Sequence, residues 1–222
     1  MNIASYIDHT LLKQVATKSE IQDLCKEAID FGFAAVCVPP TYVHESAELL
    51  NGSQVALATV IGFPFGYHLP SVKAMEAEMA IMGGADELDM VINIGALKNG
   101  NWKGLELEIR EILEIVKLRG KKLKVIVESG ILTEDELRKC CELYGRFNID
   151  YLKTSTGFAE TGARVADVQL MRSILPQHIG IKASGGIRNF AFAKELIEAG
   201  ATRIGCSASK KILEEAQSID GV

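Results

Sequence analysis

Two lysines interrupt short apolar runs that follow one another along the chain. Lys153 lies in the run Tyr151–Thr154 and Lys182 in the run Gly180–Ala183, and glycine-containing segments follow both runs. Consecutive strands of a parallel sheet are commonly neighbours about 4.8 Å apart, so inward side chains here would place two ammonium groups close together. Burial and like-charge repulsion both lower a lysine pKa, and a neutral amine can attack a carbonyl carbon. Lowering a lysine pKa from about 10.4 to about 7 costs roughly 4 kcal/mol. The alternative is that one lysine points outward and extends its amine to solvent.

An aspartate is the expected partner of these lysines. In the run Glu87–Asn93, alternation places Glu87, Asp89, Val91 and Asn93 on one face, and the other face carries only Leu88, Met90 and Ile92. Because helices cover the outside of a parallel barrel with apolar contacts, we expect the polar face to point inward. Asp89 would then face the lysines and could relay protons, or it could form only a structural ion pair.

Glycine-rich segments near the C-terminus predict a phosphate site. Ser184–Ile187 follows the seventh strand-like run, Gly205–Ala208 follows the eighth, and Gly157 follows the sixth. Glycines let backbone N–H groups approach an oxyanion, and many barrels bind phosphate after strands seven and eight. The alternative is that these glycines serve only as turn residues.

The elements that must position these residues alternate along the chain. Amphipathic segments separate the strand-like runs, which is typical of βαβ units and a parallel sheet. Ser19 is the expected N-cap of the first helix, and Thr133 with Glu136 fits a capping box. We therefore predict an α/β fold, a (β/α)₈ TIM barrel, as a single domain over residues 1–222. The expected strands are Ser5–His9, Ala34–Val38, Val55–Gly62, Glu87–Asn93, Leu123–Glu128, Tyr151–Thr154, Gly180–Ala183 and Arg203–Cys206.

Composition excludes several classes of protein. A formal net charge of -5 argues against a nucleic-acid-binding protein, and no run reaches the roughly 18 apolar residues of a membrane span. The chain does not open with the basic and apolar segments of a signal peptide. Five cysteines without CxxC spacing favour reduced thiols and a cytoplasmic location, and scattered histidines argue against a metal site.

At these residues the chain resembles the deoxyribose-phosphate aldolase family over nearly its whole length. The matching segments include the two lysine runs in the same order. The other matching segments are Ile7–Lys13, Val36–Pro39, Val60–Pro64 and Glu87–Asn93.

The resemblance implies a reaction and the residues that perform it. Members cleave 2-deoxy-D-ribose 5-phosphate reversibly to D-glyceraldehyde 3-phosphate and acetaldehyde, without a metal or other cofactor. By position, Lys153 matches the Schiff-base lysine, Lys182 the lysine that depresses its pKa, and Asp89 the carboxylate of the proton relay. Asp8 and Thr10 match positions near the substrate hydroxyls. The phosphate-binding positions match Gly157, Gly185, Gly186, Gly205 and Ser207.

Two departures from the family pattern affect what we expect of the site. Phe158 stands where some members have a second lysine, so one phosphate contact is missing here. The chain ends in Ser218–Val222, without the terminal tyrosine that assists proton transfer in some members. Proton transfer would then rely on Asp89, Lys182 and water.

The resemblance also bears on partners and on competing functions. We expect a sugar phosphate and an aldehyde as ligands, no nucleic-acid or membrane partner, and a homo-oligomer, as a dimer. One alternative is another Schiff-base aldolase that acts on a different sugar phosphate. A second is a non-catalytic barrel that binds a sugar phosphate, although binding alone does not require a neutral amine.

Overall fold

Eight parallel strands close into a barrel. The computed structural model of the chain describes residues 1–220, and its strands pair in chain order, with β8 returning to β1. The predicted TIM-barrel fold is confirmed. The strands are β1 Ile7–Thr10, β2 Ala35–Val38, β3 Ala56–Ile61, β4 Glu87–Val91, β5 Lys122–Ile126, β6 Tyr151–Lys153, β7 Gly180–Ser184 and β8 Arg203–Cys206.

Helices cover the outside of this barrel. Two of them, α2 and α4, are short and were not expected from the sequence. The helices are α1 Lys18–Phe31, α2 Val43–Leu49, α3 Pro70–Met82, α4 Ile94–Lys98, α5 Trp102–Leu118, α6 Glu134–Tyr144, α7 Val165–Ile174, α8 Phe190–Glu198 and α9 Ser209–Asp220. Short 3₁₀ helices span Ile3–Tyr6, Pro40–Tyr42 and Ser129–Ile131.

Side-chain caps define where two of the long helices begin. The capping box at α6 is confirmed, since Thr133 and Glu136 each accept a hydrogen bond from the other's backbone N–H. The prediction of Ser19 as the N-cap of α1 is wrong. Thr17 caps this helix instead, because its hydroxyl accepts from the N–H of Glu20 and the Glu20 carboxylate accepts from the N–H of Thr17.

The first strand begins two residues later than predicted. Ser5 belongs to the 3₁₀ helix, where its hydroxyl donates to the carbonyl of Asn2, and β1 starts at Ile7. This shift leaves the alternation intact, so Asp8 and Thr10 face the barrel interior and His9 faces the helices.

The two sides of the strands have different chemistry. Outward side chains such as Leu88, Met90 and Ile181 are fully buried and belong to one hydrophobic core with the helices. Inward side chains of β2 and β3 are small and apolar, and they form a second cluster made of Cys37, Ala58 and Val60. The remaining inward positions hold most of the buried charge, which makes the interior polar on one side and apolar on the other.

The described helices can be checked for a membrane span, and the described residues stop short of the C-terminus. Among the described helices, none is both long enough and apolar enough to cross a bilayer. Gly221 and Val222 lie outside the described residues, so the prediction about the missing terminal tyrosine concerns residues that the structure does not cover.

Candidate active site

The strand register places the two lysines side by side. Lys153 of β6 and Lys182 of β7 are paired residues of neighbouring strands, and both side chains point into the barrel. Lys153 is 3% exposed and Lys182 is fully buried. The alternative in which one lysine extends into solvent is therefore excluded.

Asp89 lies between the amines. Its Oδ2 accepts hydrogen bonds from Nζ of Lys153 and from Nζ of Lys182, each at 2.7 Å. Its other oxygen, Oδ1, accepts from Nζ of Lys124 of β5, also at 2.7 Å. Because both oxygens accept hydrogen bonds from lysines, burial raises the pKa of Asp89 less than Lys124, Lys153 and Lys182 together lower it, and the net shift is well downward.

Further ion pairs extend this cluster toward the N-terminal end of the barrel. Asp8 pairs with Lys182 and Arg203, and Glu87 pairs with Lys124 and Arg203. The interior cluster thus holds three carboxylates. It holds three cations besides Lys153, so its charges balance when Lys153 is neutral. The cluster comprises Asp8, Glu87, Asp89, Lys124, Lys153, Lys182 and Arg203.

The two lysines respond to this environment in opposite ways. Burial lowers the pKa of Lys153, Asp89 opposes that effect and Lys182 reinforces it, and the net shift is downward. Burial also acts to lower the pKa of Lys182, but the carboxylates of Asp8 and Asp89 outweigh it and the net shift is upward. The sequence argument expected crowding to disfavour the proton on both amines. The structure instead gives Lys182 a second carboxylate, so the pKa of Lys182 is raised while that of Lys153 is lowered, and Lys153 is the amine that loses its proton more readily.

A cavity of about 310 Å³ opens above Lys153 at the C-terminal ends of the strands. Six of the expected substrate-binding residues line this cavity. They are Thr10, Gly157, Gly185, Gly186, Gly205 and Ser207. The three loops that follow β6, β7 and β8 therefore meet at one place, beside the amine of Lys153.

Asp8 occupies a different level from these six residues. It is fully buried below the cavity, where Lys182 and Arg203 bind its carboxylate. Its neighbour two residues on, Thr10, reaches the cavity and donates its hydroxyl proton to the carbonyl of Asp8. Asp8 thus supports Lys182 from beneath.

Two of the glycines cannot carry a side chain without disturbing the site. Gly185 has φ +87°, and a Cβ there would lie 3.0 Å from Cα of Gly162 and 3.4 Å from Cα of Gly157. A Cβ on Gly205 would lie 3.0 Å from Cε of Lys182. The loops after β6 and β7 therefore depend on close backbone approach, and so does the position of Lys182.

Comparison with known proteins agrees with this geometry. Residues 2–215 match the family described as DeoC/LacD family aldolase. The chain belongs to the DeoC/LacD aldolase family. It is 49% identical to the deoxyribose-phosphate aldolase of Aciduliprofundum boonei over 98% of both chains, and 52% identical to that of a Geobacillus species over 96% of this chain and 95% of the relative. The tetrameric deoxyribose phosphate aldolase of Aeropyrum pernix superposes with a TM-score of 0.91 at 34% identity, covering 98% of this chain and 92% of that one.

Membership confirms the family resemblance seen in the sequence, and it makes the chain an aldolase. In this DeoC/LacD aldolase, Phe158 is the residue at which the sequence resemblance implied that a phosphate contact is missing. Its ring lines the cavity and is 47% exposed. The ring packs edge-on against Phe63 of the loop after β3, with 5.3 Å between the ring centroids. An aromatic contact thus joins the β3 and β6 loops beside the cavity.

Three residues of this aldolase site were not singled out from the sequence. Lys124 and Arg203 complete the charged cluster, and Glu128 binds the loop after β6. Lys124 interrupts the apolar residues of β5 that follow Lys122, which is the same kind of signal that identified Lys153. Arg203 opens its strand, where a solvent-exposed position is equally consistent with the sequence. Among the described residues, no group of three or more His, Cys, Asp or Glu side chains is arranged to hold a metal ion.

Proposed function

We propose that this aldolase cleaves 2-deoxy-D-ribose 5-phosphate reversibly to D-glyceraldehyde 3-phosphate and acetaldehyde, with Lys153 as the Schiff-base lysine. The observation that carries the proposal is the buried amine of Lys153, which has a lowered pKa and opens into a cavity rimmed by three glycine-containing loops. An amine with a lowered pKa can attack a carbonyl carbon, and the loops provide backbone N–H groups suited to a phosphate. The relatives named above carry this activity in their names.

The first half of the reaction forms the imine. The neutral amine of Lys153 attacks C1 of the open-chain sugar, and the carbinolamine loses water to give a protonated imine. Asp89 and Lys182, whose Oδ2 and Nζ atoms lie 2.7 Å apart, can supply and remove the protons that imine formation requires. Phosphate binding by Gly157, Gly185, Gly186, Gly205 and Ser207 holds C1 against the amine.

The second half breaks the C2–C3 bond. Asp89, through a water molecule and assisted by Lys182, removes the proton of the C3 hydroxyl, and the bonding electrons move toward the imine nitrogen. Glyceraldehyde 3-phosphate leaves and an enamine remains on Lys153. Protonation of its terminal carbon restores the imine, and hydrolysis releases acetaldehyde and the free amine.

Borohydride trapping tests the proposal. Incubation with acetaldehyde and borohydride should add an ethyl group to Lys153, which peptide mass mapping locates. Lys153→Met should lose both the label and sugar cleavage. Lys139→Met, which removes an exposed lysine on α6, should lose neither. An unlabelled Lys153 in an active enzyme would overturn the proposal.

A panel of substrates tests the choice of sugar phosphate. We expect 2-deoxy-D-ribose 5-phosphate to give the highest kcat/KM among the sugar phosphates tested, and the unphosphorylated sugar to give a much lower value. Preference for a sugar phosphate with a hydroxyl at C2 would indicate another Schiff-base aldolase. Binding without turnover or trapping would indicate a sugar-phosphate-binding barrel.

We also propose that the enzyme is a homodimer. Helix α3 exposes large apolar side chains, and a groove of about 620 Å³ separates it from α2. Large apolar side chains exposed together on one helix are typical of a protein contact. The exposed side chains are Val72, Met75, Met79 and Met82.

Light scattering after size-exclusion chromatography measures the assembly. The paired substitution Met75→Glu and Met79→Glu should produce monomers, while Leu118→Glu, at an exposed apolar position on α5, should leave the mass unchanged. A tetramer, as named for the Aeropyrum pernix protein, would require a second contact surface. A monomeric wild-type protein would contradict the proposal.

Two further proposals concern the chain as a whole. We take residues 1–222 to be a single catalytic domain, since the barrel strands extend from Ile7 to Cys206 and α9 follows directly.

We place the enzyme in the cytoplasm, because its five cysteines are buried free thiols, which a reducing compartment preserves. Fractionation of cells expressing a tagged chain would test this location.

A further inference from the structure

Glu128 adopts a backbone conformation that L-amino acids rarely occupy. Its φ and ψ are 55° and 56°, and among the described residues it alone combines a positive φ with a side chain. The strain arises at a bulge between β5 and β6. The N–H of Val127 donates to the carbonyl of Lys153, but the N–H of Ser129 donates to the carbonyl of Thr154, so Glu128 is the extra residue on its strand. Bulges beside active sites commonly redirect a side chain.

The bulge directs the Glu128 carboxylate onto Thr156 of the neighbouring loop. Oε1 accepts from the backbone N–H of Thr156 at 3.1 Å, and Oε2 accepts from its hydroxyl. Both residues are buried, Glu128 at 3% exposure and Thr156 at 7%. Burying a carboxylate is costly, and the two hydrogen bonds from Thr156 offset part of that cost for the strained and desolvated Glu128.

The contact continues into the phosphate loops. The hydroxyl oxygen of Thr156 also accepts from the N–H of Phe158 at 3.1 Å, so the peptide units before Thr156 and after Gly157 are both fixed. Gly157 in turn lies against Gly185, since a Cβ added to Gly185 would lie only 3.4 Å from Cα of Gly157. The carboxylate therefore sets how the loop after β6 meets the loop after β7.

We propose that Glu128 is a positioning residue for phosphate recognition. Through Thr156, it holds the backbone of Gly157 in the orientation that receives the phosphate of the substrate. This inference rests on the proposed function, and it goes further by making the discrimination between phosphorylated and unphosphorylated sugars depend on a residue outside the cavity. Glu128 does not line the cavity, and its carboxylate accepts hydrogen bonds from Thr156.

The test compares two substrates in matched variants. Glu128→Gln removes one acceptor, so the Thr156 hydroxyl loses the partner for its proton. We expect the ratio of kcat/KM for 2-deoxyribose 5-phosphate to that for 2-deoxyribose to fall about tenfold, mainly through KM, with acetaldehyde trapping on Lys153 retained. Glu128→Gly relieves the backbone strain and still removes the carboxylate, so it should lower the ratio as well. Glu136→Gln removes a carboxylate that accepts a threonine N–H at α6, and it should leave the ratio unchanged.

A second pair of variants keeps the test decisive if the changes at Glu128 prevent folding. Thr156→Val removes the hydroxyl and should lower the ratio of kcat/KM for the phosphorylated sugar to that for the unphosphorylated sugar. Thr156→Ser retains the hydroxyl and should keep the ratio at its wild-type value. Equal losses on both substrates, or an unchanged ratio in every folded variant, would overturn the role of Glu128. A wild-type enzyme that neither cleaves the sugar phosphate nor traps acetaldehyde would instead overturn the proposed function.

Discussion

Lys153 and Lys182 share one oxygen atom, since Nζ of each lies 2.7 Å from Oδ2 of Asp89. The pair is not symmetrical. Lys182 has a second carboxylate, Asp8, and Asp89 is also neutralised by Lys124. A proton on Lys153 would be the uncompensated charge in a buried cluster, whereas a proton on Lys182 is shared between two carboxylates. The arrangement therefore lowers the pKa of the lysine that faces the cavity and raises the pKa of its neighbour.

The substitution Lys182→Met should raise the pKa of Lys153. Removing the neighbouring ammonium leaves Asp89 to pair more strongly with Lys153, so the acidic limb of the kcat/KM profile should move to higher pH. At neutral pH we expect a loss of roughly 10²-fold or more, since proton transfer is impaired as well. Lys122→Met is the matched control, because Lys122 pairs with Glu87 of the same cluster from an exposed position. An unshifted acidic limb would mean that Lys182 serves proton transfer alone.

The substitution Asp89→Asn should have the opposite effect on the amine. Asp89 raises the pKa of Lys153, so its neutralisation should lower that pKa further and let borohydride trapping with acetaldehyde proceed at lower pH than in the wild type. Turnover should nevertheless fall by roughly 10²- to 10⁴-fold, because the proton relay is lost. Stability should fall by about 3–5 kcal/mol, as is usual when one partner of a buried ion pair is removed. Trapping that requires higher pH would contradict the charge balance proposed here.

Alternation within single strands accounts for what the sequence revealed of this site. Lys153, Lys182 and Asp89 are polar residues at inward positions of apolar strands, and period-2 counting is enough to find them. The ion pairs of Lys124 with Asp89 and of Arg203 with Asp8 join residues 35 and 195 positions apart, and they depend on strand register, which no local pattern contains. The opposite pKa shifts of the two lysines follow from those missing partners.

Local backbone features were harder to predict than the fold. The barrel follows from eight alternating units, but the left-handed conformation of Glu128 comes from a bulge that depends on its neighbour strand. The start of α1 was misplaced because Ser19 and Thr17 are both good caps. Only the reciprocal bond with Glu20 decides between them.

The substitution Gly185→Ala should weaken phosphate binding selectively. Its Cβ would press against Gly162 at 3.0 Å and would need φ +87°, so the loops after β6 and β7 must separate. We expect KM for the sugar phosphate to rise about tenfold or more, and kcat/KM for the unphosphorylated sugar to change little. Gly100→Ala carries comparable backbone strain, at φ +67°, but its Cβ meets no atom within 4 Å. Both variants should lose stability in thermal melts, and only Gly185→Ala should change KM.

Stability should decrease below neutral pH through His9, which lies outside the barrel interior. Its ring bonds the Ser209 hydroxyl at 2.9 Å and the Glu27 carboxylate at 3.1 Å, and it packs against Phe33. Burial lowers the pKa of His9, and this effect exceeds the opposing influence of Glu27. Because the folded pKa lies below the unfolded value of about 6.5, the unfolded state binds more protons between the two values.

The His9 contribution is therefore complete above about pH 6.5 and is lost as the pH falls toward the folded pKa. Urea unfolding at pH 8, 6.5 and 5.5 measures it. In His9→Asn the free energy of unfolding should be lower at pH 8, because the buried contacts are reduced. It should also fall less than that of the wild type between pH 8 and pH 5.5, since one group that gains a proton on unfolding is gone. Parallel pH dependences in the two proteins would show that other groups, such as the buried carboxylates, govern acid sensitivity in this range.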